Sequence, residues 1–359
     1  MESPRAPRRS DSTDRLEQRL SHVERELDCV LRDATAGPSG EEDWDPVRRR
    51  RLERVLASFA SRMDSRLRAV EPLGEEELVQ SALELLHPDQ LLRIVARLRM
   101  RHRSEEVDDF GADPKVDAEL APVVGFLYRR YFRVTAEGVA NVPESGRCLL
   151  VANRSGVLPW DALMIKAALE REHAAARRAR WLIEDFVYNQ PFLGSLIAQL
   201  GGVRACQENA ERLLGKEELV CVFPEGTLGA TKLYRDRYRI GRFGRGGYVR
   251  LVLRTGTPIV PVAVIGAEEA HPVILRLGTG GKALPHLPIT PTFPLLGPLG
   301  AVPVPTKWTI AFGEPIHFDG GPDGADDLVL VRRLNERVRT VVKTMVDDAL
   351  RRRRSWLFG

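Results

Sequence analysis

The stretch LLVANRSGVLPWDALMI, residues 149–165, sets the frame for the whole chain. A run of apolar, strand-forming residues, Leu149-Leu150-Val151-Ala152, stops at Asn153. A short polar turn follows. Asp161 then opens a helical pattern, placed to cap it. Strand, turn and helix in that order form the unit of a parallel α/β sheet, and polar chemistry collects at the carboxyl ends of its strands.

The alternation repeats along the chain. Short β-rich runs fall at 147–153, 179–184, 201–205, 219–225, 258–266 and 308–316, with helical patterns between several of them. This predicts an α/β domain with a largely parallel central sheet flanked by helices. A last helix is expected over about 325–352, with Leu328, Val331, Leu334, Val338, Val341 and Met345 at 3/4 spacing. Upstream, a helix is expected at about 119–130, after an acidic, turn-like stretch at 104–117. Residues 46–103 read as helical and 34–46 as a linker. Residues 13–33 carry Leu16, Leu20, Val23, Leu27 and Val30 at heptad spacing, either a helix docked on the body or the seam of a homodimer. Three regions result: 1–45, 46–118 and 119–359.

The chain has 359 residues, 43% hydrophobic and 29% charged, enough for a packed core. The net charge of +4 is mild, but its distribution is not. Residues 228–254 hold eight Lys/Arg against the single acid Asp236, and Arg351 to Arg354 follow one another near the C-terminus. Such clusters suit phosphate or anionic lipid. Residues 283–306 contain no charged residue and seven prolines, which excludes a spanning helix and suggests an apolar loop, either lying in the membrane interface or packed on the body. The tail RRRRSWLFG, 351–359, adds four positive charges beside Trp356, Leu357 and Phe358, a combination suited to anionic membrane. No signal peptide and no apolar run of spanning length is evident. The expectation is a cytoplasmic protein attached peripherally to the inner face of the membrane. Cys29, Cys148, Cys206 and Cys221 are far apart, so neither a disulfide framework nor a metal site is implied.

Each strand end delivers polar groups. The first gives Asn153, Arg154 and, after the turn, Asp161; the third gives Arg204. The fourth gives Glu225, Gly226 and Thr227, followed by the basic run from Lys232, and the fifth gives Glu268, Glu269 and His271. Parallel strands would bring them to one rim. Gly226 would let backbone approach a ligand, and a cleft flanked by Arg and Lys suits a phosphomonoester. A serine hydrolase is disfavoured, because G-x-S-x-G is absent. GTGGKA at 278–283 lacks the spacing of a P-loop, and one R-G-G is too little for nucleic-acid binding.

In this order, N-x-S-G-x-x-P-x-D, G-G-V-R, F-P-E-G-T and V-P-V-A resemble the four blocks of the phospholipid/glycerol acyltransferase family, over roughly residues 120–320. The resemblance implies transfer of a fatty acyl group from acyl-CoA or acyl carrier protein, as co-substrate and without a bound cofactor, to a hydroxyl of a lysophospholipid or glycerol phosphate. It implies Asp161 as the acid that orients a catalytic histidine. It implies Arg204, Glu225, Gly226 and Thr227 as the acceptor site, and Lys232, at the start of the basic run that follows, is a further substrate-binding candidate from its charge.

The first block departs from the family. Arg154 stands where the histidine is expected, six residues separate it from Asp161 rather than four, and the four-residue register falls on Gly156. Arginine does not give up its proton in a protein, so Arg154 is not a base. It can pair with Asp161 and keep the turn closed, or turn into the cleft and bind an anion. His271 is the candidate replacement base. Two readings stay open: an acyltransferase with altered chemistry, and a relative that binds lipid phosphate without turnover.

Overall fold

The computed structural model describes residues 107–355, apart from Val157 and residues 189–192, 279–285 and 291–302. The expectations for residues 1–106, including the seam at 13–33, lie outside the described residues, as do most of the apolar loop 283–306 and the last four residues of the tail.

Seven strands form one sheet: β1 (Thr135–Glu137), β2 (Cys148–Ala152), β3 (Ala179–Ile183), β4 (Gly202–Arg204), β5 (Leu219–Val222), β6 (Ile259–Ile265) and β9 (Thr309–Phe312). Their order across the sheet is β1-β9-β6-β2-β5-β3-β4. Every neighbouring pair is parallel except β6 with β9, where Val264 lies opposite Ile310. The mostly parallel sheet agrees with the sequence reading. A separate two-stranded ribbon, β7 (Leu275–Gly278) with β8 (His286–Ile289), was not anticipated, nor was the short edge strand β1.

Burial explains the strand patterns. β2, β5 and β6 are buried at every position, as strands covered on both faces must be, so they read as unbroken apolar runs rather than alternations. Alternate residues still serve opposite faces. Cys148, Leu150, Val260, Val262 and Val264 join one core with α2 (Trp160–Glu172), Trp181 and Trp308. Leu149, Val151, Val220, Ile259 and Ile265 join the other core, against α5 (Gln207–Gly215), α7 (Gly247–Thr255) and α9 (Leu328–Arg352). The sheet is thus the middle of three layers.

Two helices differ from expectation for local reasons. The first, α1 (Pro114–Phe126), begins inside the stretch read as turn-like, because Asp113 caps it. Its carboxylate accepts from the amides of Lys115 and Val116, and Pro114 occupies a first-turn position that needs no amide donor. In α9, capped by Asp327, the buried face is Val331, Leu334, Val338, Val342, Val346 and Ala349. Leu328 is exposed rather than inward-facing, and Val341 and Met345 are half-buried.

Pro261 sits in the sheet interior, opposite Val151 of β2. It contributes no donor there, but its carbonyl accepts from Gly313 at 2.8 Å. Among the described residues, no helix is long and apolar enough to cross a membrane.

Candidate active site

The carboxyl ends of β2, β3, β4, β5 and β6 lie along one edge of the sheet. Two further short helices complete that edge, α3 (Asp185–Tyr188) after β3 and α6 (Gly226–Ala230) after β5. Asn153 holds the end of β2 in place. Its amide donates to the Val264 carbonyl at 3.0 Å and accepts from the Val264 amide at 2.7 Å, extending the β2–β6 ladder by one side chain.

Arg154 follows, with a side chain only 2% exposed. Its Nη1 donates to Oδ1 of Asp161 at 2.8 Å, its Nη2 lies 3.8 Å from Glu184, and its guanidinium stacks 5.0 Å above the Phe223 ring. Asp161 is fully buried in the first turn of α2. It also accepts from the Ser155 amide (3.1 Å), the Ser155 hydroxyl (3.2 Å) and the Ala162 amide (2.8 Å). Burial pushes the Asp161 carboxyl above its ordinary value, opposed by Arg154 and these donors. Burial alone would lower the pKa of Arg154, but Asp161 and then Glu184 outweigh it, so the guanidinium keeps its proton. Of the two options the sequence left open for Arg154, the structure shows the ion pair.

Glu225 is also turned inward. Its side chain is 1% exposed and accepts from the Arg154 amide (3.1 Å) and the Gly241 amide (2.8 Å). Lys232 lies 3.2 Å from Glu225 and 2.8 Å from Glu268, and Glu268 accepts from the Tyr238 amide. Burial lowers the Lys232 pKa, but Glu268 and Glu225 overcome it and hold the ammonium charged. This network ties the β5 and β6 ends to the loop between them. α6 packs directly on it: a Cβ on Gly229 would lie 2.6 Å from that of Glu225 and 2.8 Å from that of Arg154. Gly226 is required for its backbone rather than for space, with φ of +58° and nothing within 4 Å of where a Cβ would stand.

A cleft of about 290 Å³ opens over this edge. Arg154, Glu184, Phe223, Pro224, Gly226 and Tyr248 are among its lining residues. Of the residues singled out in the sequence, Arg154 and Gly226 line it; Asp161 lies behind Arg154 and touches the cleft through it. Glu225 and Lys232 are held in the internal network, and Thr227 does not line the cleft. Arg204 is half-exposed beside it and forms a bidentate pair with Asp185 at 2.6 and 2.9 Å. His271 caps the four-residue helix α8 (Ala267–Ala270) and does not line the cleft. Among the described residues no histidine lines it, and Glu184 is the one carboxylate that does. Glu184 ends the ARWLIE run, immediately after β3, and Arg204 is the last residue of β4, so the strand-end rule that singled out the others applied to Glu184 equally.

A mostly parallel sheet with a cleft across its strand ends is the architecture of an α/β enzyme. The Acyltransferase family profile matches residues 133–265, from just before β1 to the end of β6. An uncharacterized protein of Mycobacterium tuberculosis is 43% identical over 281 residues, covering 76% of this chain and 78% of that one. Phytyl ester synthase 1 of Arabidopsis thaliana is 22% identical over 322 residues, 78% of this chain and 44% of that one. The crystal structure of the 1-acyl-sn-glycerophosphate acyltransferase PlsC of Thermotoga maritima superposes with a TM-score of 0.44 at 19% identity, over 74% of this chain and 90% of that one. The chain belongs to the acyltransferase family.

Proposed function

We propose that the protein transfers a fatty acyl group from a thioester donor, acyl-CoA or acyl carrier protein, to a lipid hydroxyl, with a lysophospholipid or glycerol phosphate as acceptor. It acts at the cytoplasmic face of the membrane, and Glu184 takes the role of proton acceptor. The observation that carries this reading is the cleft wall itself: a partly exposed carboxylate, Glu184, stands 3.8 Å from a buried guanidinium at the strand edge where the family does its chemistry. The acceptor oxygen attacks the thioester carbonyl carbon and its proton passes to Glu184. The carbon–sulfur bond then breaks, and the thiolate leaves with that proton. Arg154 does not exchange protons. Bonded to Asp161 and stacked on Phe223, it fixes the turn and supplies positive charge close to where the oxyanion develops. An ester synthase among the relatives agrees with ester formation as the reaction.

A second reading, a relative that binds lipid phosphate with weak or no turnover, is favoured by the absence of histidine from the cleft among the described residues. Loss of a general base costs about 10²–10⁴ in rate. Mass spectrometry of products from purified protein with acyl-CoA and lysophosphatidate separates the two. Ester formation, even slow beside histidine-bearing relatives, supports the enzyme. Binding of lysophosphatidate with no product from any thioester donor supports the second reading. Arg154→His tests whether a histidine seven positions before Asp161 can use it; a rise in rate would show that the longer turn still lets the pair meet.

A further inference from the structure

The basic run after β5 divides in two in the folded chain. Lys232 pairs with Glu225 and Glu268, Arg235 and Arg239 with Asp236, Arg237 with Glu269, and Arg254 with Glu211 and Asp326. Arg242, Arg245 and Arg250 meet no carboxylate among the described residues, and Arg332 of α9 joins them from across the sequence. These four line one cavity of about 510 Å³, with Asn335 and Glu336. Glu336 is already engaged by Arg339 at 3.0 Å, so it does not neutralise them. The basic residues expected at the acceptor site offer no such surplus: Lys232 is spent on two carboxylates and Arg204 on Asp185. This cavity also adjoins the cleft, since Gly244 and Arg245 line both.

We propose that the cavity is a phosphate-ester site serving the neighbouring cleft. Four arginines that line one cavity, none with a carboxylate partner among the described residues, form a site for a multiply charged anion, because each can present paired N–H donors to phosphate oxygens. Its volume falls in the range of small-ligand sites. Two ligand sources share this chemistry: the phosphorylated carrier end of a soluble acyl donor, and the headgroup of an anionic lipid. The exposed Leu328 at the cavity wall, with Val329 beside it, would meet the apolar surface around a headgroup. The choice of sources rests on the acyl-transfer reading, whereas the site itself does not.

The test uses the full chain, with Arg250→Gln and Arg332→Gln, and with Arg333→Gln as a neighbour on α9 that does not line the cavity. Thermal melting checks that each is folded. Binding is measured calorimetrically for coenzyme A and inorganic pyrophosphate, and by sedimentation for phosphatidylglycerol against phosphatidylcholine vesicles. The expected result is binding that weakens with salt and falls about tenfold or more in each of the two variants, the scale of one lost charged hydrogen bond, but not in Arg333→Gln. If coenzyme A follows this pattern, the ligand is the donor's carrier; if only phosphatidylglycerol vesicles do, it is a headgroup. Absence of binding to every probe, or equal loss in Arg333→Gln, overturns the site. Binding is read without turnover. A protein that binds in this pattern but forms no ester therefore keeps the site and loses the acyl-transfer reading, and an active protein whose variants bind normally does the reverse.

Discussion

Replacing Arg154 by alanine should destabilise the protein, because it strands a carboxylate. Asp161 is fully buried, and Arg154, itself 2% exposed, is its counter-ion at 2.8 Å. Breaking a buried pair by removing one partner costs about 3–5 kcal/mol. Asp161 would keep three donors, the Ser155 amide and hydroxyl and the Ala162 amide, which sets the expected loss near the lower limit, about 3 kcal/mol. For a folded unit of this size each kcal/mol moves the melting temperature by about 2–4 °C, so a drop of about 6–12 °C is expected by circular dichroism. Burial raises the Asp161 carboxyl, and without Arg154 the largest opposing influence is gone, leaving only the Ser155 and Ala162 donors against it. The folded variant then holds a proton that the unfolded chain releases, so its stability falls as pH rises from acid toward neutral through the raised value. The gap between Arg154→Ala and wild type should be wider at pH 8 than at pH 5. Asp161→Asn in the Arg154→Ala background removes the stranded charge and should recover part of the loss, a coupling of roughly 0.5–3 kcal/mol. A loss under about 1 kcal/mol, or strict additivity of the two substitutions, would refute the reasoning.

Three further outcomes follow from neighbouring contacts. Gly229→Ala forces a methyl group against the Cβ atoms of Glu225 and Arg154, an overpacking cost of about 1–3 kcal/mol that exceeds the roughly 0.4–1 kcal/mol gained by replacing a helical glycine, so denaturant titration should show a net loss. Asn153→Ala leaves both the amide and the carbonyl of buried Val264 without their partner, and urea unfolding should show a loss of roughly 2 kcal/mol or more. Burial pushes the Cys148 thiol up to about 12 and Cys221 well above its ordinary value. Iodoacetamide at pH 8 should therefore leave both unmodified in the native protein and label both in denaturant, as read by peptide mass mapping.

The sheet was legible because its signals are local. LLVAN, LVCVF and PIVPVAVIG are apolar runs stopped by polar or turn residues, and each became a buried strand ending on the same edge. What could not be read was the direction of the side chains at that edge. Glu225 and Gly226 are adjacent, yet the carboxylate points inward to Lys232 while the glycine lines the cleft. Charge counting is blind to ion pairing for the same reason. Of the tail arginines, Arg351 pairs with Asp348 and Arg352 with Glu137 at the surface, and Arg353 is buried against Glu269, so three of the four have carboxylate partners within the chain. Those partners lie as far away as β1, a separation that no local pattern encodes. Arg332 joins the basic run only because α9 folds back across the sheet.

The central proposal, that a carboxylate replaces the family's histidine as proton acceptor, is tested most directly by the turnover of Glu184→Gln. The substitution keeps the shape of the cleft wall and removes the base. With saturating acyl-CoA and lysophosphatidate, kcat should fall by about 10²–10⁴ while KM changes little. A Glu184→Gln protein that turns over at the wild-type rate would contradict it and return the base to another group, with His271→Ala the next variant to assay.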